Sequence, residues 1–290
     1  MALLGYGMAQ GGVAATMSMR EHMQYSKAPI PRALTIAGSD SGAGAGIQAD
    51  LKTFAALSVY GLSALTAITA QNTEGVRAAE DLSPALVEAQ IDAVLEDIGA
   101  DAAKTGMLSS RAIIEAVAGR VRKWSLRLVV DPVMRAKGGD PLLQPEAVET
   151  LRTLLLPLAE VITPNLPEAE VLTGQRVETL DDMRAAARAI HEQGPRHVVV
   201  KGGHHTDEPV DIYFNGESFV ELRAERISTR HTHGTGCTFS AAITAFLAHG
   251  QSVEEAVSNA KHYITEALRY APGIGHGHGP VGHFWQWEHK

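Results

Sequence analysis

A glycine-rich segment ends in the chain's single cysteine, and its residue types suit phosphoryl transfer. The segment runs from Thr232 to Cys237, and an apolar stretch with helical spacing follows it. Amide N–H groups at a helix N-terminus bind anions, so Gly234, Thr235 and Gly236 could hold a phosphoryl group. We expect the helix N-terminus to lower the pKa of the Cys237 thiol, which could then accept a proton from a hydroxyl. A buried, unreactive cysteine is the alternative.

A second glycine-rich segment covers residues 38–50. Gly44, Gly46 and Ala49 match the G-x-G-x-x-A pattern of dinucleotide-binding proteins. The next predicted strand ends in Gln71, however, with no acidic residue for a ribose hydroxyl. No Lys-Ser or Lys-Thr pair directly follows the last glycine, since Lys52-Thr53 comes six residues after Gly46, so the segment is not a P-loop. The glycines therefore favour either close approach of a small substrate to the backbone or a tight strand-to-helix turn.

The rest of the chain alternates short apolar runs with longer segments of helical spacing. This alternation predicts an α/β fold with a mainly parallel central sheet and helices on both faces. Residues 210–214 and 218–222, joined by Asn215-Gly216, predict a small β-hairpin addition. The other predicted strands are residues 33–37, 64–70, 101–105, 128–133, 161–163 and 197–200, and two long helices are predicted at 238–249 and 253–270.

Ligands of open α/β sheets bind beyond the carboxyl ends of the strands, so the polar residues that follow each predicted strand are candidates for a site. They are Gly38-Ser39-Asp40, Gln71-Asn72, Lys104-Thr105-Gly106, Asp131, Asn165 and Lys201-Gly202-Gly203.

The composition excludes several classes of protein. The chain has 290 residues, with 25 Lys and Arg against 33 Asp and Glu, a net charge of −8. This balance gives no electrostatic reason to bind nucleic acid or an anionic membrane. A single cysteine fits a reducing compartment, and no apolar stretch approaches the ~18 residues of a membrane span. We predict one domain at residues 32–290 and a disordered N-terminal extension at residues 1–31, which hold five of the eight methionines.

Seven motifs in this order resemble the bacterial hydroxymethylpyrimidine/phosphomethylpyrimidine kinases of thiamine biosynthesis, which have a ribokinase-like fold. The resemblance extends from about residue 33 to residue 280. The motifs are Gly38-Ser39-Asp40 with the glycine loop, Ala70-Gln71-Asn72-Thr73, Lys104-Thr105-Gly106-Met107, Asp131-Pro132-Val133-Met134, Thr163-Pro164-Asn165-Leu166-Pro167-Glu168, Lys201-Gly202-Gly203-His204 and His233-Gly234-Thr235-Gly236-Cys237.

The resemblance implies two successive ATP-dependent phosphorylations, first of 4-amino-5-hydroxymethyl-2-methylpyrimidine and then of its monophosphate. It also implies Mg²⁺ as a cofactor, a small-molecule pyrimidine as the partner, a homodimer and a cytoplasmic location.

Pyridoxal kinases share the Gly-Cys motif and are the main alternative. A pyrimidine sensor without catalysis and a dinucleotide enzyme are the others. The histidines near the C-terminus lack the spacing of a zinc site.

The resemblance also implies roles for individual residues. Cys237 would be the catalytic base, and the backbone of Gly234, Thr235 and Gly236 would form an anion hole. Gln71 would hydrogen-bond the pyrimidine, because its amide both donates and accepts. The further residues implied are Asp50, Gly38, Met107 and Val133 for the substrate, Lys201, Gly202 and Thr232 for the nucleotide, and Asp131 and Glu168 for Mg²⁺.

Several of these residues have ordinary structural alternatives. Gln71 could be a solvated loop residue, and Lys201 could face solvent at a strand end. Asp131 and Glu168 could be a strand-end acid and a helix cap. The chain also departs from the family pattern at Ala43, where glycine is common, and at His231, where asparagine is common.

Overall fold

The computed structural model describes residues 29–135, 139, 142–203 and 209–288. Residues 1–31, the predicted extension, lie outside this part of the chain except for the last three, and His204 also lies outside it. From Pro31 onward the chain forms one compact unit. The start of the domain at residue 32 stays a prediction.

A nine-stranded sheet forms the centre of this unit. Its strands are β1 (Arg32–Asp40), β2 (Tyr60–Gln71), β3 (Val76–Asp81), β4 (Ala102–Thr105), β5 (Leu128–Val130), β6 (Ala159–Ile162), β7 (His197–Val200), β8 (Val210–Phe214) and β9 (Phe219–Arg223). Their spatial order is β3-β2-β1-β4-β5-β6-β7-β8-β9. The neighbours from β2 to β7 in this order are parallel, while β3, β8 and β9 pair antiparallel.

Helices cover both faces of the sheet. They are α1 (Gly46–Ala56), α2 (Pro84–Asp97), α3 (Arg111–Trp124), α4 (Ala147–Thr150), α5 (Leu166–Thr173), α6 (Leu180–His191), α7 (Thr235–Ala248), α8 (Val253–Arg269) and α9 (Trp285–Glu288), and α4 continues through π and 3₁₀ turns to Leu158. One core lies between the sheet and α2 to α6, and it includes Ile91 and Ile114. The other lies under α1, α7 and α8, with Phe54, Ile243 and Tyr263.

Local sequence signals start several of these helices. α5, α6 and α8 each begin with a capping box, in which the side chains of Asn165, Thr179 and Ser252 accept a hydrogen bond from an amide three residues later. Across the described ranges, no helix is long and apolar enough to cross a membrane.

The predicted α/β architecture is confirmed, including the hairpin of β8 and β9. The prediction missed β3, which pairs antiparallel with β2 at the edge of the sheet. Nearly all of its residues are exposed, so it carries no apolar pattern that could have indicated a strand. β5 is also shorter than predicted, because the chain leaves the sheet at Asp131-Pro132.

Candidate active site

A cavity of about 610 Å³ opens at the carboxyl ends of the parallel strands. Most residues implied by the resemblance line it, as do Asp40 and His233. Those implied residues are Gly38, Gln71, Met107, Asp131, Val133, Glu168, Lys201, Thr232, Gly234, Thr235, Gly236 and Cys237. Asp50 and Gly202 are not among the residues that line it.

The two glycine-rich segments touch each other at this cavity. Gly234 has φ +76°, and a Cβ there would lie 1.8 Å from the Gly44 carbonyl oxygen. A Cβ on Gly44 would lie 2.3 Å from the His233 ring. Gly46 has φ +58°, and a Cβ there would lie 2.4 Å from the Gly38 carbonyl oxygen. Close packing therefore accounts for the glycines that also match a dinucleotide pattern.

Asp40 organises the first of these segments. Its carboxylate accepts N–H bonds from Gly42, Gly44 and Ala45 at 2.8–3.0 Å, and it contacts His233 Nε2 at 2.8 Å. Burial alone would raise the pKa of Asp40, but these partners hold it below its ordinary value. The adjacent Ala43 has φ +59°, in the left-handed region that favours glycine.

Cys237 lies in the first turn of α7, and its thiol differs from the sequence expectation. The helix N-terminus was expected to lower the thiol pKa, yet burial raises it to about 12. The nearby Lys104 ammonium opposes this effect, while the carboxylates of Asp50 and Asp131 add to it. The thiol is therefore protonated at neutral pH in this state of the site.

Behind Cys237 lies a fully buried ion pair between Lys104, one of the strand-end candidates, and Asp50, for which the resemblance implied contact with the substrate. Lys104 Nζ is 2.8 Å from Asp50 Oδ1, and both side chains have 0% exposure. Thr35 Oγ1 donates to the other Asp50 oxygen at 2.6 Å. Burial alone would lower the pKa of Lys104, but Asp50, Cys237 and Asp131 raise it above its ordinary value. The sequence named Lys104 and Asp50 separately as site candidates, but it gave no indication that the two residues pair.

Lys201 and Asp131 form a second ion pair, which faces the cavity. Lys201 Nζ is 3.0 Å from Asp131 Oδ1, and the Lys201 side chain, which is 16% exposed, lines the cavity. A Cβ on Gly236 would lie 3.3 Å from this ammonium, so the glycine lets the positive charge approach the start of α7. The alternative of a solvent-facing lysine does not hold.

Glu168 serves both as a helix cap and as a cavity wall. One of its oxygens accepts from the Asn165 amide at 2.9 Å, which completes the capping box of α5. Burial raises the pKa of Glu168 to about 7, with Lys201 opposing the effect. The predicted helix-cap alternative is therefore present, and the carboxyl also faces the cavity.

The donor set at this wall fits Mg²⁺. Asp131 and Glu168 supply hard carboxylate oxygens, and Mg²⁺ usually binds one or two carboxylates together with water and phosphate oxygens. No three His, Cys, Asp or Glu side chains are grouped closely enough to hold a metal alone, as far as the described residues go.

Gly202 has a packing role beside the cavity. A Cβ there would lie 2.0 Å from the Val210 carbonyl oxygen. The Gly202 amide donates to Asp211 Oδ1 at 2.9 Å, and Lys261 Nζ is 2.7 Å from the other oxygen of Asp211. Asp211 and Lys261 line the cavity and were not indicated by the sequence.

The glycine-rich C-terminal segment packs against the loop that follows Gln71. The amide of His278 donates to the Thr73 carbonyl oxygen at 2.8 Å, and the amide of His233 donates to Gly279 at 3.0 Å. A Cβ on Gly277 would lie 2.1 Å from the Thr73 oxygen. The segment thus joins the loop after β2 to the loop before α7. His231 is not among the cavity-lining residues and contacts this segment near Gly279.

This contact predicts a specific cost for a methyl group. We expect Gly277→Ala to lower the free energy of unfolding by about 1–3 kcal/mol, because the backbone must shift to relieve the clash with Thr73. Gly119→Ala in α3 is the control, since no atom outside the local helix backbone lies within 4 Å of its Cβ position, and alanine there should leave the stability unchanged or raise it. Urea unfolding of both variants checks the prediction, and equal stability of the two would contradict it.

Comparison with known proteins places this arrangement in a family. A family model described as phosphomethylpyrimidine kinase matches residues 40–282. A hydroxymethylpyrimidine/phosphomethylpyrimidine kinase of Bacillus subtilis is 51% identical over 258 residues, 88% of this chain and 95% of the relative.

Two solved structures show the same fold and confirm the ribokinase-like prediction. An ADP complex of Bacillus subtilis pyridoxal kinase has a TM-score of 0.84 and 44% identity over 89% of this chain and 99% of the other. A phosphomethylpyrimidine kinase from Clostridium difficile 630 has a TM-score of 0.74 and 50% identity over 82% and 99%. The chain therefore belongs to the phosphomethylpyrimidine kinase family.

Proposed function

We propose that this chain transfers phosphoryl groups from ATP to 4-amino-5-hydroxymethyl-2-methylpyrimidine and then to its monophosphate. The product would be the pyrophosphate used in thiamine biosynthesis. The observation that carries the proposal is the convergence of Gln71, Lys201 and Cys237 on one cavity. The family supports the same activity, since a relative 51% identical to this chain bears the name of this kinase.

The start of α7 would hold the phosphoryl group in transfer. Helix α7 has 14 residues, and its first turn, with Gly236 and Cys237, lines the cavity. The amide N–H groups of a first turn have no intrahelical partners and lie at the positive end of the helix dipole. With the Lys201 ammonium, they would stabilise charge on the transferring oxygens.

ATP and Mg²⁺ are the cofactors of this proposal. Lys201 and Thr232 would contact the nucleotide phosphates, and Asp131 and Glu168 would hold Mg²⁺ through their oxygens and bound water. Bound Mg²⁺ would supply positive charge that neutralises the phosphate oxygens.

Cys237 would act on the substrate hydroxyl as the reaction proceeds. Phosphoryl transfer passes through a loose transition state in most analyses, so the hydroxyl need not lose its proton before the new bond forms. Only the thiolate of Cys237 can accept this proton, so the proposal requires the thiol first to release its own proton to water in the cavity. The thiolate would then orient the hydroxyl and take its proton as positive charge develops there, which regenerates the thiol. The buried Lys104 ammonium would stabilise the thiolate at that stage, and Asp50 would contribute by holding Lys104.

Gln71 would recognise the pyrimidine, with Gly38, Met107 and Val133 beside the ring. We expect Gln71→Leu to raise the Kd for the pyrimidine about tenfold to a hundredfold and to leave the Kd for ATP nearly unchanged, because a buried hydrogen-bond partner is lost. Isothermal titration with each ligand measures both constants. The control is Gln175→Leu, an exposed position outside the cavity. An unchanged pyrimidine Kd in Gln71→Leu would show that Gln71 does not bind the pyrimidine.

Pyridoxal is the second candidate substrate, because one structural neighbour with a TM-score of 0.84 is a pyridoxal kinase. Its ring presents a different hydrogen-bonding edge from that of an aminopyrimidine. The ratio of kcat/KM for the two compounds, measured by ADP release, separates the candidates. A ratio above about ten in favour of the pyrimidine supports the proposal. A ratio below one would make pyridoxal the preferred substrate.

We also propose a cytoplasmic location and a homodimer. The location follows from the single cysteine, which must stay reduced to act as a thiol. The dimer follows from the family resemblance. Light scattering behind a sizing column tests it, because a dimer would have twice the 30.8 kDa of one chain.

A further inference from the structure

The side chains of Asp40, Gln71 and His233 meet at one wall of the cavity. His233 Nε2 lies 2.8 Å from Asp40 Oδ2 and 3.3 Å from Gln71 Nε2. Gln71 Oε1 lies 3.1 Å from Thr69 Oγ1. The nitrogen and oxygen of a glutamine amide exchange places by a half-turn about the last side-chain bond. The hydrogen-bond partners therefore decide which orientation is stable.

The hydrogen between His233 and Asp40 belongs to the imidazole. Three backbone N–H groups already donate to the Asp40 carboxylate, and Asp40 is only 2% exposed. A carboxylate has no hydrogen to give, so His233 Nε2 must be the donor. This holds for the neutral ring with its hydrogen on Nε2 and for the imidazolium. Nε2 then has no lone pair for an N–H of Gln71, and its single hydrogen is directed mainly at Asp40. The Gln71 oxygen can share that hydrogen as a second, weaker acceptor, whereas the Gln71 NH₂ would face it with like partial charge.

Thr69 leads to the same orientation from the other side of the amide. The hydroxyl of Thr69 has a single hydrogen, and it has a partner in the Ser39 carbonyl oxygen at 2.8 Å. Towards Gln71 the Thr69 oxygen is therefore an acceptor, which pairs with the amide nitrogen. Both neighbours favour the half-turned amide, with its oxygen towards His233 and its nitrogen towards Thr69.

We infer that His233 is a positioning residue that fixes the orientation of the Gln71 amide and thereby selects the edge of the substrate ring. The inference rests on the proposed function, in which Gln71 contacts that ring. In this orientation the Gln71 amide presents an acceptor and a donor side by side to the cavity. The acceptor is a lone pair of its oxygen, and the donor is the second N–H of its nitrogen. A 4-aminopyrimidine offers the complementary pair, an amine N–H beside a ring nitrogen that accepts.

A 4-oxopyrimidine presents the opposite pattern, with a carbonyl oxygen that accepts beside a ring N–H that donates. It would need the amide in its other orientation. The ring itself cannot turn over to compensate, because its hydroxymethyl group must face Cys237 in the proposed reaction. His233 would therefore set the preference for the amino compound, although it need not touch the substrate.

The test compares 4-amino- and 4-oxo-5-hydroxymethyl-2-methylpyrimidine as substrates of three proteins. We expect wild type to favour the amino compound in kcat/KM by about tenfold or more. His233→Leu removes the donor, and the preference is expected to fall about tenfold because either amide orientation becomes accessible. His233→Gln keeps an N–H donor on a side chain of similar length and should restore most of the preference. An equal loss on both compounds in His233→Leu would mean that His233 is only structural.

A second measurement needs neither catalysis nor a variant. In wild-type protein without substrate, we expect nuclear Overhauser effects between the Gln71 side-chain NH₂ and the Thr69 methyl group. Nuclear Overhauser effects between the Gln71 side-chain NH₂ and the His233 ring hydrogens, without effects to the Thr69 methyl group, would overturn the inference. If wild type phosphorylates neither pyrimidine, the proposed function fails, and this measurement still decides the amide orientation.

Discussion

Cys237→Ala is expected to lower kcat about 10²–10⁴-fold, the range that a positioned proton acceptor contributes. The Kd for the pyrimidine should change little, because Gln71 and the apolar cavity wall are untouched. Rapid-quench kinetics with saturating ATP measure kcat, and titration measures the Kd. The loss arises at the transition state, where the hydroxyl must release its proton, and not in ground-state binding.

Cys237→Ser is the matched control for this variant. Serine keeps a polar group of similar size at the start of α7, but its hydroxyl is a far poorer proton acceptor than a thiolate. It should orient the substrate and still lose most of the rate. Full activity of Cys237→Ala would show that the proton leaves by another path, and the role assigned to Cys237 would be wrong.

Lys104→Met is expected to lower the free energy of unfolding by about 3–5 kcal/mol, the usual cost of leaving a buried charge without its partner. Asp50 would keep only the Thr35 hydroxyl as a side-chain donor in a site with 0% exposure. Denaturation in urea, followed by circular dichroism, measures the change. The catalytic rate should fall as well, because the ammonium that stabilises the Cys237 thiolate is lost.

Two further variants make the Lys104 result specific. Lys123→Met removes an exposed lysine that pairs with Asp92 and Glu96, and it should cost no more than about 1 kcal/mol. Asp50→Leu combined with Lys104→Met removes both charges and should recover much of the stability lost in Lys104→Met. Equal unfolding free energies for the two lysine variants would contradict a buried ion pair.

The centre of the parallel sheet was predictable because strands such as β4 and β5 are buried on both faces. Every residue of β4 and of β5 is buried. Neither strand is therefore interrupted by a solvent-facing polar residue. The exposed edge strand β3 has no such pattern, and only its pairing with β2 makes it a strand. The sequence therefore indicated the central strands and the hairpin at one edge of the sheet, but not the other edge strand, β3.

The site was predictable where a residue sits beside a strand end or a glycine turn. Cys237 and Lys201 are of this kind, and both line the cavity. The sequence named His233 and Asp40 only as members of motifs, and their role was missed because their contact joins positions 193 residues apart in the chain. The direction of the Cys237 pKa was wrong for a related reason. The helix N-terminus is visible in sequence, but the burial and the carboxylates around the thiol come from distant segments.

The most direct test of the central claim follows the pyrimidine itself through the reaction. Purified protein is incubated with ATP, Mg²⁺ and 4-amino-5-hydroxymethyl-2-methylpyrimidine, and the products are identified by mass at successive times. We predict that the monophosphate rises first and is then converted to the pyrophosphate, and that Cys237→Ala forms neither at a comparable rate. Absence of any phosphorylated pyrimidine from active, folded protein would contradict the account.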